Sequence, residues 1–140
     1  MTLVVDASAL SEYLIGSRRG LAAARAFAGH ERSLHMPHLA VSEVTSVLRS
    51  WVAREDVTES RARGALEDLA DFPATRYAAE PFLTRIWQLR HNLSSYDAHY
   101  VALAEALAAP LLTADARIAH ASGHHADVLL LGETHPTTQP

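Results

Sequence analysis

Leu3-Val4-Val5-Asp6-Ala7-Ser8-Ala9-Leu10 decides the reading of this chain: an apolar run stops on an aspartate and passes at once into helix-forming residues. Leu111-Leu112-Thr113-Ala114-Asp115, near the other end, repeats the pattern. Asp6-Ala7-Ser8 supplies residues suited to capping a helix that runs on through Leu14. Working outward, a turn at Gly16-Ser17 leads to an alanine-rich helix over about Arg18–Ala28. Ser33–Met36 reads as a strand, and Pro37 is expected to open a helix reaching about Arg54. Thr58 or Glu59 begins another helix that runs to Asp71 and stops at Pro73. Thr75–Ala78 reads as a brief strand, with a helix from Glu80 or Pro81 to about Arg90. Ser94 or Ser95 caps a helix over Tyr96–Ala108 that ends before Pro110. The strand Leu111–Thr113, a short helix over Asp115–Ala121 and a strand over Val128–Leu131 complete the pattern. Short apolar strands alternating with helices predict a parallel sheet covered on both faces, the α/β class. No repeat or linker divides the chain, so one domain over 1–134 is expected, with residues 135–140 as a flexible tail.

Composition narrows the chemistry. The 140 residues suit one domain with a substantial core, and a 49% hydrophobic, 20% charged composition is that of an ordinary soluble protein. There is no cysteine, which excludes disulfides, thiolate catalysis and Cys-based zinc sites. All 12 basic residues are arginine. Without a lysine, neither a phosphate-binding P-loop nor Schiff-base chemistry is available. A net charge of −4 argues against nonspecific coating of nucleic acid, although local arginines can still hold RNA. No run is long enough to span a membrane and the first residues do not read as a secretory signal, so a cytoplasmic protein without membrane contact is expected.

Four carboxylates stand out. Asp6 and Asp115 each follow a strand and precede a helix. Taken alone, either is equally an N-cap. Parallel strands aim their carboxyl ends one way, however, and open α/β sheets bind ligands there. Asp97 lies three residues after Ser94, as the acidic partner of a capping box would, in the first turn of its helix. Glu43 sits at the border of an apolar arc formed by Ala40, Val41, Val44, Val47, Leu48, Trp51 and Val52, with Leu39 and Val47 one turn either side. That position suits a partly buried carboxylate facing a neighbouring element. Gathered acids repel one another, and with no lysine and few arginines nearby a divalent cation is the expected counter-charge. Hard oxygen donors select Mg²⁺ or Mn²⁺ over zinc. Such ions support in-line attack of water on a phosphodiester.

Val4-Val5-Asp6-Ala7-Ser8-Ala9-Leu10, Ser42-Glu43-Val44, Tyr96-Asp97-Ala98-His99-Tyr100-Val101-Ala102-Leu103-Ala104 and Leu111-Leu112-Thr113-Ala114-Asp115 resemble, in this order, the four acidic motifs of PIN-domain nucleases, and most closely those of VapC-type toxins of bacterial toxin–antitoxin pairs. The resemblance spans nearly the whole chain. It implies an α/β/α sandwich around a short parallel sheet, and a metal-dependent endoribonuclease in the bacterial cytoplasm. Asp6, Glu43, Asp97 and Asp115 would be its catalytic, metal-binding acids, with Ser8 and Thr113 as supporting hydroxyls. Some members carry a further acid soon after the last one, where this chain reads Ala116-Arg117-Ile118. The resemblance also implies a homodimer and inhibition by a small VapB-like antitoxin. Tyr13, Leu14, Ile15 and Phe27, on or beside two alanine-rich helices, are the expected apolar anchors for an antitoxin helix. A partner's arginine or lysine entering the acidic pocket would pair with Asp6 or Asp97.

Competing readings are weaker. Haloacid-dehalogenase-type phosphatases and response-regulator receivers also end strands on aspartate, but both need a lysine. A PIN-like module that binds RNA or protein without cutting is the alternative that keeps the fold. The nine histidines are scattered. Pro37 interrupts the His35–His38 pair and Gly123 the His120–His124 pair, so neither has helical ligand spacing. Arg18, Arg19, Arg25 and Arg49 serve equally as phosphate contacts or as solvated helix faces. His99, beside Asp97, either touches substrate or packs.

Overall fold

The computed structural model describes residues 2–30 and 33–132. The elements follow as β1 (Leu3–Val5), α1 (Ala7–Ile15), α2 (Arg18–Phe27), β2 (Leu34–Pro37), α3 (Leu39–Ala53), α4 (Glu59–Ala70) and β3 (Ala74–Tyr77). A 3₁₀ turn over Glu80–Phe82 leads into α5 (Leu83–Gln88), α6 (Ser95–Leu107), β4 (Leu111–Thr113), α7 (Ala116–His120) and β5 (Val128–Leu130). The expected tail at 135–140 lies outside the described residues.

All five strands are parallel, in the order β3-β2-β1-β4-β5. The chain therefore winds outward from β1 through β2 to β3, then returns to the opposite side of β1 for β4 and β5. The switch point lies between β1 and β4, where Val4 pairs with Leu111 and Val5 with Leu112. Clefts for ligands form at the carboxyl ends of strands flanking such a point. Leu3, Val4 and Val5 are all buried. Successive strand side chains face opposite ways, so their common burial means that both faces of the sheet are covered. Helix α6 packs against β1, β2 and β4, and buries the unbroken run Tyr100 to Ala104. A helix apolar on nearly every side belongs inside the protein.

Helix α1 contacts α2, α3 and α4. Gly16 ends it in the left-handed conformation, φ 74°, and its N–H donates to the Glu12 and Tyr13 carbonyls. Ser17 caps α2 by accepting from Gly20 N–H at 3.0 Å. Gly20 is needed for close approach, since a Cβ there would stand 2.1 Å from the Glu12 carbonyl oxygen.

Two expected elements are corrected. Pro37 ends β2, paired with Tyr77, and α3 begins only at Leu39. A proline is tolerated there because β1 pairs with β2 only at Leu34 and His35, so its missing N–H leaves no rung open on that side. The helix expected from 80 to 90 divides into the 3₁₀ turn, with Pro81 in its first positions, and the six-residue α5.

Candidate functional site

Asp6 emerges from β1 at the switch point, 3% exposed. Its Oδ1 accepts from Ala9 N–H at 3.0 Å, which makes it the N-cap of α1, and from the Ser8 hydroxyl at 2.7 Å. Its Oδ2 accepts from the Thr113 hydroxyl at the end of β4, at 2.5 Å. Ser8 Oγ in turn accepts from Ala114 N–H, and Thr113 Oγ1 from Asp115 N–H, both at 2.9 Å. Two hydroxyls thus tie the ends of β1 and β4 together: both donate to Asp6, and Ser8 accepts from the β4 exit loop while Thr113 accepts from its own strand's exit loop. Burial pushes the Asp6 carboxyl up to about 6, against the lowering effect of its hydrogen bonds, and the charge of Asp97 adds to the rise.

Asp97 occupies the first turn of α6, whose N-cap Ser94 accepts from Asp97 N–H at 3.1 Å. Its pKa is raised by partial burial and by Asp115, while Ser94 and Arg117 oppose the shift. Glu43, half-buried on α3, accepts from the Tyr100 hydroxyl of α6 at 2.6 Å. Burial raises it too, and Asp97 adds repulsion. Burial, and after it the same pairing, raises Tyr100, which stays protonated and able to donate. Asp97 is therefore the electrostatic hub, coupled to each of the other three carboxylates.

Asp115 behaves differently. It caps α7 by accepting from Arg117 N–H at 2.9 Å, and the Arg117 guanidinium grips both carboxylate oxygens, Nε to Oδ1 at 3.2 Å and Nη2 to Oδ2 at 2.9 Å. This pairing holds Asp115 below the usual carboxylate range. The expectation that arginines would leave the acids unneutralised is corrected at this position: Arg117, two residues into the helix, folds its side chain back onto the acid that caps it.

The structure thus joins all four predicted acids into one charge cluster, with Ser8 and Thr113 as its inner bracing. Among the described residues, no three His, Cys, Asp or Glu side chains form a ready-made metal cage. Asp6 is instead held by Ser8 and Thr113, Glu43 by Tyr100 and Asp115 by Arg117. The donor set consists of oxygens and carries net negative charge, which fits a hard divalent cation.

Sequence reasoning passed over Tyr100 and Arg117. Tyr100 follows Asp97 by three residues, a spacing that puts both on one helix face, and that signal was available. Leu14 and Phe27, expected as partner anchors, belong to the core, where Phe27 meets Tyr13 with ring centroids 4.8 Å apart. Tyr13 remains exposed, and Ile15 is partly buried. His35 is structural, with Nδ1 2.6 Å from the Tyr77 hydroxyl and Nε2 3.1 Å from Ser33 Oγ. His99 Nδ1 bonds the Ser95 carbonyl at 2.5 Å. Arg19 is occupied by the Ala114 and Leu131 carbonyls.

The sequence matches the PIN domain family over residues 3–123. It is 46% identical to a VapC ribonuclease of Mycobacterium bovis over 118 residues, 83% of this chain and 87% of that protein. The chain belongs to the PIN-domain family. Its VapC relatives include Ribonuclease VapC1 of Mycobacterium tuberculosis, 41% identical over 129 residues, which cover 91% of this chain and 96% of VapC1. Solved PIN-type structures agree in fold. VapC20 of Mycobacterium tuberculosis, described as a toxin that cleaves the sarcin-ricin loop, superposes with a TM-score of 0.63 at 15% identity, covering 84% of this chain and 93% of that one. PAE2754 of Pyrobaculum aerophilum gives 0.60 at 23% identity, covering 84% and 77%. In this PIN domain the sheet switch point and the acid cluster coincide.

Proposed function

We propose that this PIN domain is a VapC-type endoribonuclease toxin of the bacterial cytoplasm, dependent on Mg²⁺ or Mn²⁺ and restrained by a small VapB-like antitoxin. The observation that carries the reading is the convergence of Asp6, Glu43 and Asp115 on Asp97 at the switch point of the sheet. Mutual repulsion among these acids is a standing cost that a bound cation removes.

Asp6, Glu43, Asp97 and Asp115 would hold the ion. When bound, it polarises a phosphodiester and lowers the pKa of a water beside it. The chain's own residues do the rest. Ser8, Thr113 and the α1 N-terminus fix both oxygens of Asp6, so the innermost donor is oriented in advance. Tyr100 does the same for Glu43. An open groove of about 500 Å³ beside Glu43, lined by Ser42, Ser46 and Tyr96, gives a single strand room and an exposed ring on which a base can stack. Exposed Leu83 and Trp87 offer apolar surface for a second copy, which the homodimer in this reading requires.

The test is cleavage of RNA by purified protein with Mg²⁺ and with a chelator, beside Asp6→Asn. Cleavage is expected only with metal and only in the wild type. RNA that is bound yet never cut, with or without Mn²⁺, would establish a binding module instead. Co-expression with the small protein encoded beside it, followed by pull-down, checks the antitoxin.

A further inference from the structure

A second open cavity, of about 340 Å³, is lined by Arg90, Asn92, Ser94, Asp97 and Arg117 among others. Two guanidinium groups thus share a small cleft with the central acid of the cluster. Arg117 is almost free of the protein body, with its side chain 86% exposed, and two of its five N–H donors engage Asp115. Asp115 does not depend on it for orientation, because the Arg117 backbone N–H holds Oδ1 at 2.9 Å whatever the side chain does. An exposed ion pair is a weak constraint, so the guanidinium can exchange one anion for another at little cost. At the same end of the sheet Arg19 has fixed employment, on the Ala114 and Leu131 carbonyls. Arg90 is steadied over the Trp87 ring at 4.4 Å and by the Trp87 carbonyl.

A protein of net charge −4 with a cluster of acids at its site needs local cations to hold a polyanion there. We propose that Arg117 is an RNA-phosphate-binding residue held in reserve on Asp115, turning to a backbone phosphate in the Arg90–Asp97 cleft as a divalent cation takes its place on that carboxylate. The proposal rests on the nuclease reading above and adds the residue by which that site grips its substrate. Planar, bidentate pairing serves carboxylate and phosphate equally, which is why the same fork fits both anions. The guanidinium covers both Asp115 oxygens, so a divalent cation held by Asp115 would have to compete with it.

Three measurements on the full chain test this. First, a non-hydrolysable single-stranded RNA analogue is titrated in saturating Mn²⁺, and again in chelator, with wild type, Arg117→Met and Arg117→Lys, by anisotropy over a range of salt, the effect of Arg117 being read in Mn²⁺. Arg117→Met is expected to weaken binding about tenfold and to lower the salt slope by roughly one phosphate contact, with Arg117→Lys keeping the slope. Second, the double variant Arg117→Met/Asp115→Asn removes the repulsion of an uncovered Asp115. Binding should stay weak; recovery to wild type would mean that Arg117 only masks a charge, and would overturn the proposal. Third, Mn²⁺ affinity is read from the electron paramagnetic resonance of the free ion. Arg117→Met should bind Mn²⁺ more tightly, because its competitor is gone. Weaker Mn²⁺ binding with unchanged RNA affinity would make Arg117 a prop for Asp115 and overturn the idea. If the wild type binds RNA but never cuts it, the nuclease reading fails by itself, while the Mn²⁺ titration still decides whether Arg117 grips phosphate.

Discussion

The two ends of the acid cluster are built by opposite means. At the inner end, Asp6 is buried, braced by two hydroxyls and a helix N-terminus, and pushed up to about 6. At the rim, Asp115 meets solvent, is clasped by an exposed arginine and is held below the carboxylate range. Asp97, between them, feels both. The inner end is part of the fold, because Thr113 and Ser8 join β1 to β4 through Asp6. The rim is a replaceable ion pair on a five-residue helix. Rigidity at one end and exchangeability at the other suit a site that must keep its shape yet admit a polyanion.

The largest effect is expected where the two ends meet. Asp97→Asn keeps the side-chain shape and the Asp97 backbone bond to Ser94, but removes the one charge coupled to all three other acids. Turnover of RNA under saturating Mg²⁺ should fall by more than the roughly 10–100-fold typical of outer positions around a metal. Unfolding by urea should change little. An active Asp97→Asn would dissolve the hub and leave the two ends as unrelated structural features.

Next comes the pH response of the inner end. Below about pH 4, Asp6 is protonated in folded and unfolded chains alike and contributes no difference. Between the ordinary carboxylate value and about 6, the folded state binds the extra proton, so stability falls as pH rises through that window. The loss is about 3 kcal/mol by pH 7. Asn at position 6 cannot ionise, and its amide can donate to Thr113 Oγ1 in place of the reversed bond. Urea melts of metal-free protein from pH 4 to 7 should therefore show wild type losing ground steadily to Asp6→Asn. A constant difference across the range would mean that Asp6 is not carrying that strain.

Thr113→Val tests the bracing itself. Valine matches threonine in shape but strands Asp6 Oδ2 and Asp115 N–H at the junction of the two strands. The cost should be about 1–3 kcal/mol, read from the urea midpoint at constant m-value. Ser8→Ala, at a part-buried position, should cost less.

How much of this was legible in the chain depends on the range of the interaction. The strand-to-aspartate motifs at residues 3–10 and 111–115 gave the parallel sheet and both strand-end acids, because apolar runs and caps are local signals. The N-cap roles weighed as rivals to function do not exclude it: Asp6 and Asp115 cap their helices and also carry charge beside Asp97. Pro37 misled because its ring suits a helix start and a strand end equally, and only the pairing with Tyr77 separates the two. Leu14 and Phe27 looked available since burial comes from Phe72 and other residues remote in sequence. Arg117 was seen as a departure from a family pattern, and its hold on Asp115 needed coordinates. The region that local patterns described well is the rigid one, whereas the exchangeable rim depends on side-chain rotamers that no periodicity encodes.

The smallest effect belongs to that rim and gives the comparison its sharpest test. Arg117 lowers the Asp115 pKa chiefly through its hydrogen bonds, so the pair contributes stability above the ordinary carboxylate range and loses it as pH falls through the depressed folded value. Its sign is opposite to that of Asp6. In Arg117→Met the backbone cap bond from residue 117 survives, but the guanidinium is gone, and the Asp115 midpoint should climb toward the ordinary range. Because the pair is exposed, the melting temperature at neutral pH should barely move. Carboxyl-detected NMR titration of metal-free wild type and Arg117→Met resolves both ends in one experiment. Asp115 should shift upward on substitution while Asp6 stays near 6, since Thr113, Ser8 and Ala9 still surround it. A matching shift at Asp6 would show that the two ends respond as one rigid unit, and the division between a fixed inner donor and an exchangeable outer one would not stand.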